Sequence, residues 1–235
     1  MATTVWGQAV QVGGAYQVPS TAINDTTGVP YPGNAAHMMN GLTRKNIYDE
    51  TELRAAMENP FISEIWLMSD ILLSGTALPA LRNLRRLAIV GKCGSGTHVP
   101  YGGSDMCTID AATLSGIFDV YGPAHLTLHN LKLTRGNVRY GGALAVWFGY
   151  ADVQGCIMED NTATRGGAFS NWHGEVVMLD VTLVGNTATY DGAAAYHWGG
   201  ATSVKQSTIQ GEPFFCGRVS METYWNDDAG SGHSI

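Results

Sequence analysis

Glu159, Asp160 and Arg165 lie together in one short stretch of the chain. Carboxylates beside a guanidinium can hold a cation, or act as general acid and base on a sugar linkage. His125 and His129 are four residues apart, a spacing that offers two metal ligands only when it falls on a helix. Asp227 and Asp228 are adjacent, and "GHS" (Gly232–Ser234) follows them. A second set of candidates is aromatic: Trp147, Phe148, Tyr150, Trp172, Tyr196 and Trp198, with His173 and His197 among them. Such rings stack on sugars or anchor a protein partner. Cys93 and Cys107 flank the Gly-rich segment "CGSGTHVPYGGSDMC", whose length suits a disulfide worth roughly 3 kcal/mol.

Which of these groups meet depends on a repeat. "NTATRGGAF" begins at Asn161 and "NTATYDGAA" at Asn186, and three consecutive lines of 25 residues align from His125, Tyr150 and Glu175. The columns Leu126/Ala151/Val176, Leu128/Val153/Met178, Leu131/Cys156/Val181 and Leu133/Met158/Leu183 are apolar, with mostly polar residues between them. That alternation predicts two short strands per repeat, each with one buried face. A third strand of small residues follows each Gly corner, starting near Ala143, Ala168 and Ala193. One such unit buries too little apolar surface to offset the entropy of ordering its own backbone, so the repeats must stack. The predicted fold is an all-β parallel solenoid of about six coils over residues 61–211. A capping helix is expected at 47–60, where Asp49 or Thr51 can cap its start and Asn59-Pro60 stops it. Residues 1–46 and 212–235 read as an N-terminal extension and a C-terminal tail.

"GGAL" (Gly141–Leu144), "GGAF" (Gly166–Phe169) and "DGAA" (Asp191–Ala194), with "MEDN" and "LVGN" before them, resemble the repeats of chlamydial polymorphic outer-membrane proteins and of algal and bacterial pectin-lyase-like proteins. The resemblance implies a right-handed parallel β-helix. It departs from those families at Met158 and Leu183, where their motif has Phe, and in the first coil, where "LTRGN" sets Asn137 one residue late. The resemblance also implies an extracellular or cell-surface setting, although the start "MATTVWGQAVQVGG" has no signal-peptide pattern.

Pectate lyases of this fold hold calcium between acidic residues on one outer face, and the related hydrolases pair aspartates. Here the 25-residue alignment pairs no two acids: Asp152 faces Thr127 and Val177, Glu159 faces Thr134 and Val184, and Asp160 faces Arg135 and Gly185. The spacing of His125 and His129 falls across predicted strands, so no metal and no cofactor are expected. Asn137, Asn161 and Asn186, with Gly142, Gly167 and Gly192, read as structural corners, where Asn bonds to neighbouring backbone and Gly permits the bend. Trp147, Trp172 and His197 align in one column, with Tyr150 and Tyr196 close by, as the candidate ligand- or partner-binding ladder.

The formal net charge of −7 argues against nucleic acid as a partner. No apolar run reaches the roughly 20 residues of a membrane helix. The function expected is a non-catalytic structural, adhesive or assembly module that contacts protein partners or a surface glycan. The alternative is a polysaccharide lyase or glycoside hydrolase.

Overall fold

The computed structural model describes residues 10–12, 15–17, 43–94, 106–211 and 213–225. Asp227, Asp228 and the Gly232–Ser234 motif lie outside them, as does most of the expected N-terminal extension. The chain divides into two compact units, Met1–Thr43 and Arg44–Ile235. The first holds an antiparallel hairpin of β1 (Val10–Val12) and β2 (Ala15–Gln17).

The second unit is a parallel β-solenoid of about five turns, slightly fewer than the six expected. Its longest sheet stacks β3 (Arg44–Ile47), β4 (Glu64–Leu67), β6 (Arg86–Gly91), β9 (His125–His129), β13 (Tyr150–Gln154), β17 (Glu175–Leu179) and β20 (Ala195–Ile209), all parallel. A second ladder runs through β5 (Ile71–Leu72), β7 (Cys107–Asp110), β10 (Leu131–Thr134), β14 (Ile157–Glu159) and β18 (Thr182–Val184). A third runs through β8 (Phe118–Tyr121), β12 (Leu144–Trp147), β16 (Phe169–Trp172) and back to β20. Beside it β11 (Asn137–Tyr140), β15 (Thr162–Arg165) and β19 (Thr187–Asp191) form a short sheet of their own. The last strand, β21 (Phe214–Trp225), pairs along β20.

The apolar columns fall where the alternation places them. Leu128, Val153 and Met178 pair in register and are fully buried, as are Leu133, Met158 and Leu183. The stack nevertheless reaches past both expected ends. β3 pairs with β4 ahead of the helix, and β21 continues the stack into the expected tail. A strand at the edge of a solenoid needs only one partner, so it requires no repeat signature of its own. Helix α1 (Glu50–Glu58) is capped by Asp49, whose side chain accepts from the Glu52 N–H at 2.8 Å. It contributes Leu53, Ala56 and Met57 to the common core, and Arg85 fixes its end by donating to the Asn59 and Ala56 carbonyls.

Corners are made by single left-handed residues that recur from coil to coil. Asn130, Gly155, Asp180 and Gln206 share one such column, with φ between 51° and 55°. Arg135, Asp160 and Gly185 share another, with φ of 54°, 53° and 64°. Only Gly escapes the steric cost of this conformation, and Asn and Asp tolerate it better than most residues.

Asn161 and Asn186 are buried and form a ladder. The Gly136 N–H donates to Asn161 Oδ1 at 2.8 Å, and the Asn161 N–H donates to Asn186 Oδ1 at 3.0 Å. Asn161 Nδ2 donates to the Leu133 carbonyl at 3.1 Å, and Asn186 Nδ2 to that of Met158 at 2.9 Å. Asn137 is not on the ladder. It pairs with Thr162 and is exposed, because "LTRGN" contains no extra residue and Gly136 occupies the Asn column. At Gly142 and Gly167 an added Cβ would come within 2.4 and 2.1 Å of a carbonyl oxygen on the next coil, so a side chain is excluded. Gly192 is not their equivalent. Its φ of 67° matches Gly141 and Gly166, and Ala193 takes the place of Gly167.

Candidate functional site

The shift at Gly192 has one origin. Arg165 pairs with Asp191 rather than with Tyr190, so the last repeat holds one extra residue, and Tyr190 is extruded to 77% exposure. Every later column moves with it. Trp172 therefore pairs with Trp198, while His197 pairs with Asn171 on the inner face, where it is fully buried. This corrects the expected Trp147/Trp172/His197 column. The signal was present in the sequence: opening a one-residue gap at Tyr190 aligns Trp with Trp.

The true outward column is Tyr121, Trp147, Trp172 and Trp198. Ring centroids along it are 6.0, 5.4 and 6.3 Å apart, and the first two pairs are stacked within 12° of parallel. Tyr140 meets both Trp147 and Trp172 edge-on at 5.3 Å, and the Arg82 guanidinium lies 4.0 Å from the Tyr121 ring centre. Tyr196, buried beside this column, packs on Trp172 at 5.2 Å. Both faces of Trp147 and of Trp172 are thus covered by neighbouring rings. A sugar binds to an aromatic through its face, and these faces are taken. Asp119, which the sequence did not single out, points out of the same strand. Burial lifts its carboxyl above the usual range, and Trp147 and Arg82 oppose that rise.

Glu159, Asp160 and Arg165 are not brought together as one acid–base unit. Glu159 pairs with Lys132, and Arg165 donates to Asp191 at 2.8 Å. Asp160 occupies a left-handed corner. Asp110 is bound by Arg135, and its carboxyl is held below its ordinary range, burial being outweighed by that pairing. Among the described residues no three His, Cys, Asp or Glu side chains are grouped to hold a metal ion.

Cys93 and Cys107 are joined by a disulfide across the Gly-rich loop, of which residues 95–105 lie outside the described residues. Cys156 is a buried free thiol, pushed up to about 12 by burial, which makes it a core residue with no thiolate chemistry.

Two surface features stand apart. On the outer face of the longest sheet His125 Nε2 and Asp152 Oδ2 are 2.6 Å apart, both partly exposed. His129 faces the same way, and burial with the nearby Lys92 lowers its pKa against the pull of Asp152. The second feature is a cleft of about 500 Å³ at the corner between the third ladder and the longest sheet. Phe148, Tyr150, His173, Glu175, Ala201 and Arg218 line it over glycine turns. Phe148 stacks on His173 at 5.5 Å and is 64% exposed, while Tyr150 is 45% exposed.

No family model, curated protein or solved structure matches the chain. No helix among the described residues is long and apolar enough to cross a membrane.

Proposed function

We propose that the solenoid is a non-catalytic scaffold that contacts protein partners within a larger assembly. The observation that carries this reading is the Tyr121–Trp147–Trp172–Trp198 ladder, whose central rings spend their faces on one another. Exposed beside it are the rings of Phe148, Tyr150 and Trp198, residue types favoured at the centre of protein interfaces. The Cys93–Cys107 disulfide supports an oxidising compartment, hence a secreted or surface setting. Kinship with pectin-lyase-like proteins is part of the same reading and is supported by the repeated GGA and Asn corners.

The test is purification of the native protein under mild conditions, followed by mass measurement of the intact species. A defined complex with another protein supports the proposal. A free monomer that cleaves polyuronates or neutral glycans, with or without calcium, sinks it.

The His125–Asp152 pair favours a second reading, a polysaccharide-active enzyme. A carboxylate on Nε2 orients the imidazole and leaves Nδ1 as a candidate base. That reading requires glycan cleavage that His125→Ala abolishes while the fold, judged by melting, is retained.

A further inference from the structure

The corner cleft has an order built into it along the coil axis. His125, Tyr150, Glu175, Ala201 and Arg218 follow one another in register on successive strands. Glu175 and Arg218 are therefore two rungs apart, about 10 Å at ~4.8 Å per rung, with the short Ala201 leaving a notch between them. Both charges are exposed, and neither has an ion-pair partner among the described residues. At the other end of the cleft Phe148 has one face on His173. Its other side looks over Gly122, the preceding member of that corner column, where an added Cβ would meet nothing within 4 Å. Phe148 is thus a ring with an open side, unlike Trp147 and Trp172.

We infer that this cleft is the docking site for an extended segment of a partner protein. The segment presents an apolar or ring side chain to Phe148, then a basic side chain to Glu175, then an acidic one to Arg218. The ordered pair of unlike charges is what selects a polypeptide. A neutral glycan could offer its hydroxyls to both groups but would neutralise neither charge, and an acidic glycan would match Arg218 but be repelled by Glu175. A chain carrying both signs about 10 Å apart pairs with the two together. Beneath the cleft Gly149, Gly174 and Gly200 pack so closely that an added Cβ would come within 2.8, 2.6 and 2.1 Å of a neighbouring atom.

This inference rests on the protein-partner reading above, and its test separates the two. A random peptide library is selected on the intact chain and counter-selected on Arg218→Glu. The enriched peptides are expected to carry an apolar, a basic and an acidic residue in that order. Their affinity, read by fluorescence polarisation, should fall at least about tenfold on Phe148→Ala and on Glu175→Lys, with melting curves showing that both variants fold. The double reversal Glu175→Lys with Arg218→Glu should prefer the opposite charge order. Enrichment of peptides that bind Phe148→Ala as well as the parent overturns the assignment, and so does Phe148-dependent binding to a glycan array or self-association abolished by Phe148→Ala. A native complex unaffected by Phe148→Ala likewise overturns it but leaves the scaffold reading standing; a chain isolated alone with glycan-cleaving activity removes both.

Discussion

Replacing Asn161 by Ala tests whether the corner repeat is structural. Asn161 is fully buried and makes three side-chain connections: it accepts from the Gly136 N–H and donates to the Leu133 carbonyl and to Asn186 Oδ1. Alanine removes all of these and leaves their partners without water. Orphaning one buried polar group costs about 1–3 kcal/mol. The Asn186 oxygen still accepts from the Asn161 backbone N–H at 3.0 Å, and Leu133 stays within the β10–β14 ladder, so the Gly136 N–H is the group fully orphaned and the loss should be about 2 kcal/mol. For a domain of this size that is a fall of roughly 4–8 °C in Tm. Calorimetry or chemical denaturation reads it directly. Asn137→Ala is the control, since that side chain is exposed and makes a single bond to the Thr113 carbonyl at 3.2 Å; it should change stability by less than about 0.5 kcal/mol. Equal effects from the two substitutions, or a loss below about 1 kcal/mol at Asn161, would refute the ladder.

Trp172→Ala removes the centre of the ring stack and should cost about 3 kcal/mol, the low end for large aromatic truncations because the ring is only partly buried; thermal melting measures it, and retention on a glycan column should not change. Acid should destabilise the fold below about pH 6.5. Burial, with His173 adding to it, lowers the pKa of His197, so the unfolded chain binds protons that the folded one refuses, and stability is lost as pH falls. His129 acts with the same sign, so a stability–pH profile should flatten on His197→Asn without becoming level. Reduction of Cys93–Cys107, whose sulfurs close a separation of 14 residues, should lower stability by about 3 kcal/mol, measured as the difference between denaturation curves with and without reductant.

Two different things made the chain legible. The inward columns read correctly because burial forces a strict period of two within strands and of 25 between coils, as at Leu128, Val153 and Met178. The Asn161 and Asn186 corners read correctly because only a short amide can reach backbone on both sides. What failed was anything downstream of a register change. The extra residue at Tyr190 moved His197 from the expected surface column to the core, and moved Trp198 into the ladder. One slipped residue reverses inside and outside, and composition carries no trace of it. Side-chain pairings were equally hidden. Glu159 and Arg165 are close in sequence, yet each takes its partner from an adjacent coil, Lys132 and Asp191 respectively. The cleft was missed because its members come from four separate coils and Arg218 lies beyond the recognisable repeat.

The claim that matters most is that this solenoid works by holding a protein rather than by cutting a glycan. Cross-linking the native protein in the cells that make it, followed by mass spectrometry of the cross-linked peptides, tests that claim most directly. The account predicts a partner protein cross-linked in defined stoichiometry to the exposed aromatic surface around Phe148 and Tyr150. Recovery of the uncrosslinked chain alone, together with glycan turnover that His125→Ala abolishes, would contradict it.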